Sequence, residues 1–133
     1  MAVPIPESHA DLLQDEKKAF AVLATIQPDG SPQATVVWFD VADGRFRVNT
    51  ARGRVKDRNM SSRPTVALCI FDPQNTYRYL QVRGRIVRTD EAGGRAHIDR
   101  LSFKYLGKAK FDGPASDQRV IFFIEPTGVQ ATG

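Results

Sequence analysis

A chain of 133 residues has the length of one compact domain, here 1–133, and can bury a core without metals or crosslinks. At 41% hydrophobic and 26% charged it reads as a soluble globular protein, and no apolar run is long enough to cross a bilayer, so no membrane partner is expected. The net charge of +4 conceals a local excess: from Arg45 to Arg63 seven bases face one acid, Asp57, giving +6 (7 − 1) there and −2 (4 − 6) elsewhere. Such a segment points to one local anionic partner. Aromatic residues do not interleave with the basic run, which argues against a nucleic-acid partner.

The N-terminal segment 1–8 carries Pro4, Pro6 and Glu7 where an export signal would have basic and then apolar residues, so a cytoplasmic location is expected. Ser8, with Asp11 three residues on, reads as the cap of a short helix to about Lys17. Phe20–Ile26 is almost continuously apolar and predicts a strand covered on both faces, and Pro28-Asp29-Gly30-Ser31 turns the chain. A second strand, Gln33–Asp40, sets Ala34, Val36 and Trp38 against Gln33, Thr35, Val37 and Phe39, with Trp38 taken as core. After Ala42-Asp43-Gly44 a third strand, Arg45–Thr50, turns Phe46 and Val48 inward, so a three-stranded meander is expected.

A loop from Arg52 leads into a short helix over Val55–Ser61, ended by Arg63-Pro64. Thr65–Phe71 is the next apolar strand. Its cysteine, Cys69, is the only one in the chain and reads as a buried, inert thiol in a reducing compartment. Tyr77–Thr89 is a long strand with Leu80, Val82, Gly84 and Ile86 on one side, and Gly84 marks a bulge or bend. A helix starts at Asp90-Glu91 and carries Ile98, Leu101 and Tyr105 at helical spacing. The last strand, Arg119–Glu125, is apolar on both faces, so its outer face calls for a cover that a second subunit would supply. Turns this short allow no parallel crossovers, and the order predicts an antiparallel barrel or curled sheet.

The strongest chemical signal is Thr50-Ala51-Arg52-Gly53-Arg54-Val55-Lys56-Asp57-Arg58-Asn59, where strand, loop and helix start meet. Helix-start amides, a glycine and two cations suit a phosphate; the same residues also fit a solvated helix face. His9 and His97 stand apart from other ligand types, so no metal is expected. There is no nucleophile elbow, P-loop or dinucleotide fingerprint, which agrees with chemistry performed by a bound cofactor.

The segments Val22–Ile26, Pro28–Gln33, Arg54–Met60 and Tyr77–Gly84 together resemble the pyridoxamine 5'-phosphate oxidase-like family, in particular its small members that use the deazaflavin F420. The resemblance implies a mainly β (α+β) fold, an antiparallel six-stranded split β-barrel (the FMN-binding split barrel) with flanking short helices, acting as a homodimer. It implies an oxidoreductase in which reduced F420, or alternatively FMN, serves a small-molecule acceptor; a non-catalytic flavin- or pigment-binding module is the remaining reading. By the same resemblance Arg54 and Lys56 hold the cofactor phosphate and Asn59 supports them. The ring then lies along Gln33, Thr35 and Val37, with Thr50 and Ala51 near its reactive edge. Tyr77 and Tyr79 cover ring or substrate, a tyrosine at 77 being a modest departure from the pattern, and Arg83 and Arg85 either meet the cofactor's acidic tail or remain solvated edge charges.

Overall fold

The computed structural model describes residues 3–133; Met1 and Ala2, the first two residues of the segment read for an export signal, lie outside it. Seven strands and two α-helices follow two short 3₁₀ turns: β1 (Phe20–Ile26), β2 (Pro32–Val37), β3 (Asp40–Ala42), β4 (Arg45–Ala51), α1 (Val55–Ser62), β5 (Thr65–Asp72), β6 (Asn75–Asp90), α2 (Gly94–Leu106) and β7 (Arg119–Thr132). The strands form one antiparallel sheet in the order β2-β1-β5-β6-β7-β4-β3. The mainly β split-barrel expectation holds, with seven strands in place of six and a sheet that does not close by hydrogen bonds.

The extra strand arises where the expected second strand divides. Residues 32–37 pair with β1, whereas Asp40–Ala42 pair with β4, so the meander of three consecutive strands does not form. Trp38 and Phe39 join the two edges of the curled sheet. This joint is clamped by α2: the Tyr105 hydroxyl donates to the Ala19 carbonyl at 2.6 Å and accepts from the Phe39 amide at 3.3 Å, and Lys104 Nζ donates to the Phe39 carbonyl at 2.7 Å. Phe39 enters the core. Trp38 does not, contrary to expectation; it is half-buried and stacks on Tyr105 with ring centres 5.3 Å apart.

Alternation decides the core. Leu23, Phe46, Val48, Leu68, Ile70, Leu80, Val82, Phe122 and Ile124 point inward from five strands and form one apolar cluster. Only the inner face of β1 is fully buried; Phe20, Val22, Ala24 and Ile26 on the other face are half-buried, so the expectation of cover on both faces fails within one chain. The reverse holds for β7. Its residues Val120–Ile124 are all buried, because α2 packs across the outer face and the Arg88 guanidinium lies 4.6 Å from the Phe123 ring centre. No second subunit is needed there.

Three boundaries differ from the sequence reading. The first helix is two 3₁₀ turns, Glu7–Leu13 and Asp15–Lys17, and Ser8 spends its hydroxyl on His9 Nδ1 at 2.8 Å instead of capping. Strand β7 runs seven residues beyond Glu125: Pro126, which has no amide to pair, stands opposite Gly84, and the register slips by one residue at Thr127 before Gly128 pairs with Arg83. One shift falls at Arg83/Gly84, and a Cβ on Gly84 would collide with Ile124 Cγ2. Helix α2 begins at Gly94, not at Asp90, whose carboxylate accepts from the Gly93 amide at 2.9 Å. A Cβ on Gly94 would strike the Arg119 carbonyl, so this glycine lets the helix start lie against the beginning of β7.

Candidate functional site

The seven bases of the cationic segment separate by partner. Arg47 forms a two-pronged bridge to Asp40, Arg52 binds Asp57 and Glu91 at 2.7 Å each, and Arg45 reaches Glu125 at 3.6 Å. Arg58 and Arg63 donate to the carbonyls of Gly53 and Ile26. Among the described residues Arg54 has neither a hydrogen bond nor an ion pair through its side chain, and Lys56 has only the Thr35 hydroxyl, 3.2 Å from its Nζ. Among the described residues four of the seven thus have no acidic partner, and of these Arg54 and Lys56 donate to no carbonyl oxygen either.

Both line a cavity of about 210 Å³ in the split between β2 and β4. Arg54, Lys56, Asn49, Thr50 and Arg119 form one wall, while Val36, Val37, Trp38, Ile98, Leu101 and Phe111 form an apolar one. The cations repel one another. Burial, with Arg54 and Arg119 nearby, holds the Lys56 ammonium below its ordinary range; burial and the charge of Arg54 likewise lower Arg119. In the same wall Thr50 Oγ1 is buried without a hydrogen-bond partner. A native fold seldom leaves a buried hydroxyl unpaired beside uncompensated cations, and an anionic ligand with oxygen acceptors would satisfy both.

The structure distributes the sequence-predicted residues unevenly. Val37, Thr50, Arg54 and Lys56 line the cavity, and Thr35 meets it through Lys56. Ala51 is buried beside Thr50 without lining it. Gln33 and Asn59 belong to a neighbouring network: Asn59 Nδ2 donates to Thr25 Oγ1 at 3.0 Å, and that hydroxyl donates to Gln33 Oε1 at 2.9 Å. Asn59 Oδ1 accepts from Arg63 at 3.2 Å, so Asn59 ties α1 to β1 and makes no hydrogen bond with Arg54. The Gly53 amide is spoken for as well, donating to Asp57 Oδ2 at 2.8 Å. Tyr77, 84% exposed, and Tyr79 lie on β6 away from this cavity. Tyr79 and the exposed Arg83 line a second cavity, of about 410 Å³, on the outer face of β1, β5 and β6 with Val22, Ala24, Ala67 and Cys69. Cys69 is accordingly half-buried, with its thiol raised by burial.

Arg119, Asn49, Trp38 and Phe111 belong to the cavity and were missed. Arg119 stands 56 residues beyond Arg63 in sequence (119 − 63), outside the cationic segment, and only the pairing of β4 with β7 brings it opposite Ala51.

A curled, unclosed antiparallel sheet with a cation-lined, half-apolar cavity at its split offers a surface chemically suited to an anion that carries an apolar or aromatic body. The chain belongs to the pyridoxamine 5'-phosphate oxidase family, whose profile matches residues 5–133. An F420 reductase is similar over 95% of this chain and 98% of its own at 34% identity and a TM-score of 0.83, which sets the chain beside the F420-reductase branch. A pyridoxamine 5'-phosphate oxidase-related, FMN-binding protein from Nostoc punctiforme shares the fold at 16% identity and a TM-score of 0.65, over 97% of this chain and 84% of its own. General stress protein 26 from Bacillus anthracis does so at 18% identity and 0.65, over 93% and 94%. No curated protein matches the chain. The family and the first of these neighbours support an oxidoreductase with a flavin-type cofactor. Among the described residues no helix is long and apolar enough to cross a membrane.

Proposed function

We propose that the protein is an F420-dependent oxidoreductase that acts as a homodimer on a small organic acceptor. The observation that carries this reading is the pair of uncompensated cations, Arg54 and Lys56, beside the unpaired Thr50 hydroxyl in a half-apolar cavity. Arg54 and Lys56 would hold the phosphate, the first through its planar fork and the second as a point charge. Val36, 63% exposed, with Val37 and Trp38 offers the apolar surface on which a tricyclic ring would rest. When bound, reduced deazaflavin supplies a hydride to an activated double bond, quinone or similar acceptor. The chain's own contribution is capture, orientation and exclusion of water from one face of the ring. The likeness to an F420 reductase supports this cofactor; the likeness to an FMN-binding protein, at lower identity, supports the alternative of FMN in the same groove.

A cavity of about 210 Å³ is smaller than sites that enclose a whole cofactor, roughly 300–1,000 Å³, so one chain would hold the stem and leave much of the ring uncovered. The half-buried outer face of β1, β5 and β6 suits a second copy, which would bring Tyr77 or Tyr79 toward the ring as cover. Light scattering should then give about 29.6 kDa (2 × 14.8). Titration of the purified protein with F420 and FMN side by side, followed by turnover of the reduced cofactor against a panel of quinones and enones, tests the function. Tight F420 binding with turnover is expected. Protein that retains yellow flavin and ignores F420 would transfer the reading to FMN, and binding of either cofactor without turnover would make the protein a carrier.

A further inference from the structure

Arg119 is 8% exposed and opens β7 at the cavity wall, its guanidinium 5.1 Å from the Phe111 ring centre. Its Nε donates to the side-chain oxygen of Asn49 at 2.8 Å. An arginine N–H can only donate, so the Asn49 atom it meets must be the oxygen, and the amide nitrogen faces the other way. That nitrogen donates one hydrogen to the Gly94 carbonyl at 2.9 Å and directs the other at His97 Nδ1, 3.1 Å away. Nδ1 therefore accepts. The ring proton sits on Nε2 and is donated to Asp40 Oδ1 at 3.0 Å. Asp40, 1% exposed, is anchored from its other sides by Arg47 at 2.8 and 2.6 Å and by Arg100 at 3.0 Å. Every polar atom along this line has one role, from a buried carboxylate to the cavity wall.

We propose that Arg119 is a third ligand for the anionic group bound between Arg54 and Lys56, and that Asn49 and His97 are positioning residues that keep it aimed there, an inference that rests on the phosphate-site reading above. The guanidinium already has a competing partner in the Asp117 carboxylate, 3.8 Å from Nη1, and loss of the Asn49 contact would free it to turn that way. Holding the Nε edge leaves the outer edge of the fork for the ligand. Close packing of Gly94 against the Arg119 backbone fixes the distance over which the line must reach. The crowding of Arg119 with Arg54 and Lys56, seen in the lowered basicity of Lys56 and Arg119, is what a bound anion would relieve.

The test compares each cofactor with its phosphate-free form: FMN against riboflavin, and F420 against its deazaflavin chromophore lacking the phosphoryl group. Dissociation constants are read by fluorescence for the unaltered protein and for Arg119→Met, Asn49→Ala, His97→Leu and His97→Gln. The unaltered protein should prefer the phosphorylated forms. Arg119→Met, Asn49→Ala and His97→Leu should each reduce that preference roughly tenfold, the effect of one charge-assisted contact. His97→Gln keeps a donor and an acceptor at the side-chain end and should restore most of it. A merely structural role would weaken both forms alike, so an unchanged preference in Arg119→Met overturns the inference while the phosphate site stands. Should a cavity-creating variant fail to fold, Arg119→Lys, which keeps the charge and loses the Nε contact, carries the same comparison. No preference in the unaltered protein overturns the phosphate site itself, and this inference with it.

Discussion

Lys56 Nζ donates to Thr35 Oγ1 across 3.2 Å, and that bond ties the first turn of α1 to β2 at the mouth of the split. Among the described residues that hydroxyl is the only hydrogen-bond partner of an ammonium whose basicity burial, Arg54 and Arg119 all reduce. Because its folded value lies below the ordinary 10.5, the unfolded chain binds more protons in the interval between the two values, and stability should rise with pH through that interval. An anionic cofactor reverses the effect by favouring the charged form. Cofactor binding at alkaline pH should therefore be accompanied by proton uptake, measurable by calorimetry in buffers of different ionisation enthalpy, and Lys56→Met should abolish it.

Thr50→Val replaces an unpaired buried hydroxyl with a methyl group of nearly the same shape. An unsatisfied buried polar group costs about 1–3 kcal/mol, so the variant should unfold at higher urea concentration than the parent. If the hydroxyl meets the ligand, the same variant should bind cofactor more weakly. Opposite signs in the two measurements are the expected outcome.

Asp40→Ala removes the carboxylate on which Arg47, Arg100 and His97 converge. Burial pushes this carboxyl up, but hydrogen bonds from His97 and Arg47 outweigh it and hold the group well below the usual carboxylate range. Its contribution to stability is present above the unfolded value, roughly 3.9, and is lost as the pH falls toward the depressed folded one. Breaking a buried pair costs about 3–5 kcal/mol, so the variant should show a matching loss in denaturant unfolding at neutral pH and a flatter acid limb.

Gly84→Ala would force a methyl group into Ile124 Cγ2 where the register of β6 against β7 shifts. Overpacking of this kind costs roughly 1–3 kcal/mol. Thermal unfolding should record the loss, and Ile124→Ala, which removes the Cγ2 methyl, should cost less in the Gly84→Ala background than in the unaltered protein.

What was legible in the sequence divides along a physical line. Apolar runs locate β1 and β5, alternation locates β4 and β6, and Arg63-Pro64 ends the helix expected over Val55–Ser61; these signals are local. The division of the second strand at Trp38-Phe39 was not legible, because both halves favour extended backbone and only their different partners, β1 and β4, separate them. Likewise Arg54 and Lys56 stood out as a cluster in sequence, whereas Arg119 reaches the same wall through sheet pairing. The cover of β7 by α2 is not legible either, because which sheet face an apolar helix stripe packs on is fixed by tertiary contacts and not by the helix's own sequence.

The central claim is that Arg54 and Lys56 grip the phosphate of a ring-bearing cofactor, and titration of the Arg54→Ala/Lys56→Ala double variant with F420 and with FMN tests it most directly. Each charge-assisted contact is worth roughly 1.5–3 kcal/mol, so the affinity for the cofactor that the unaltered protein binds should fall at least tenfold, with the fold of the variant intact. Affinity equal to that of the unaltered protein would contradict the account.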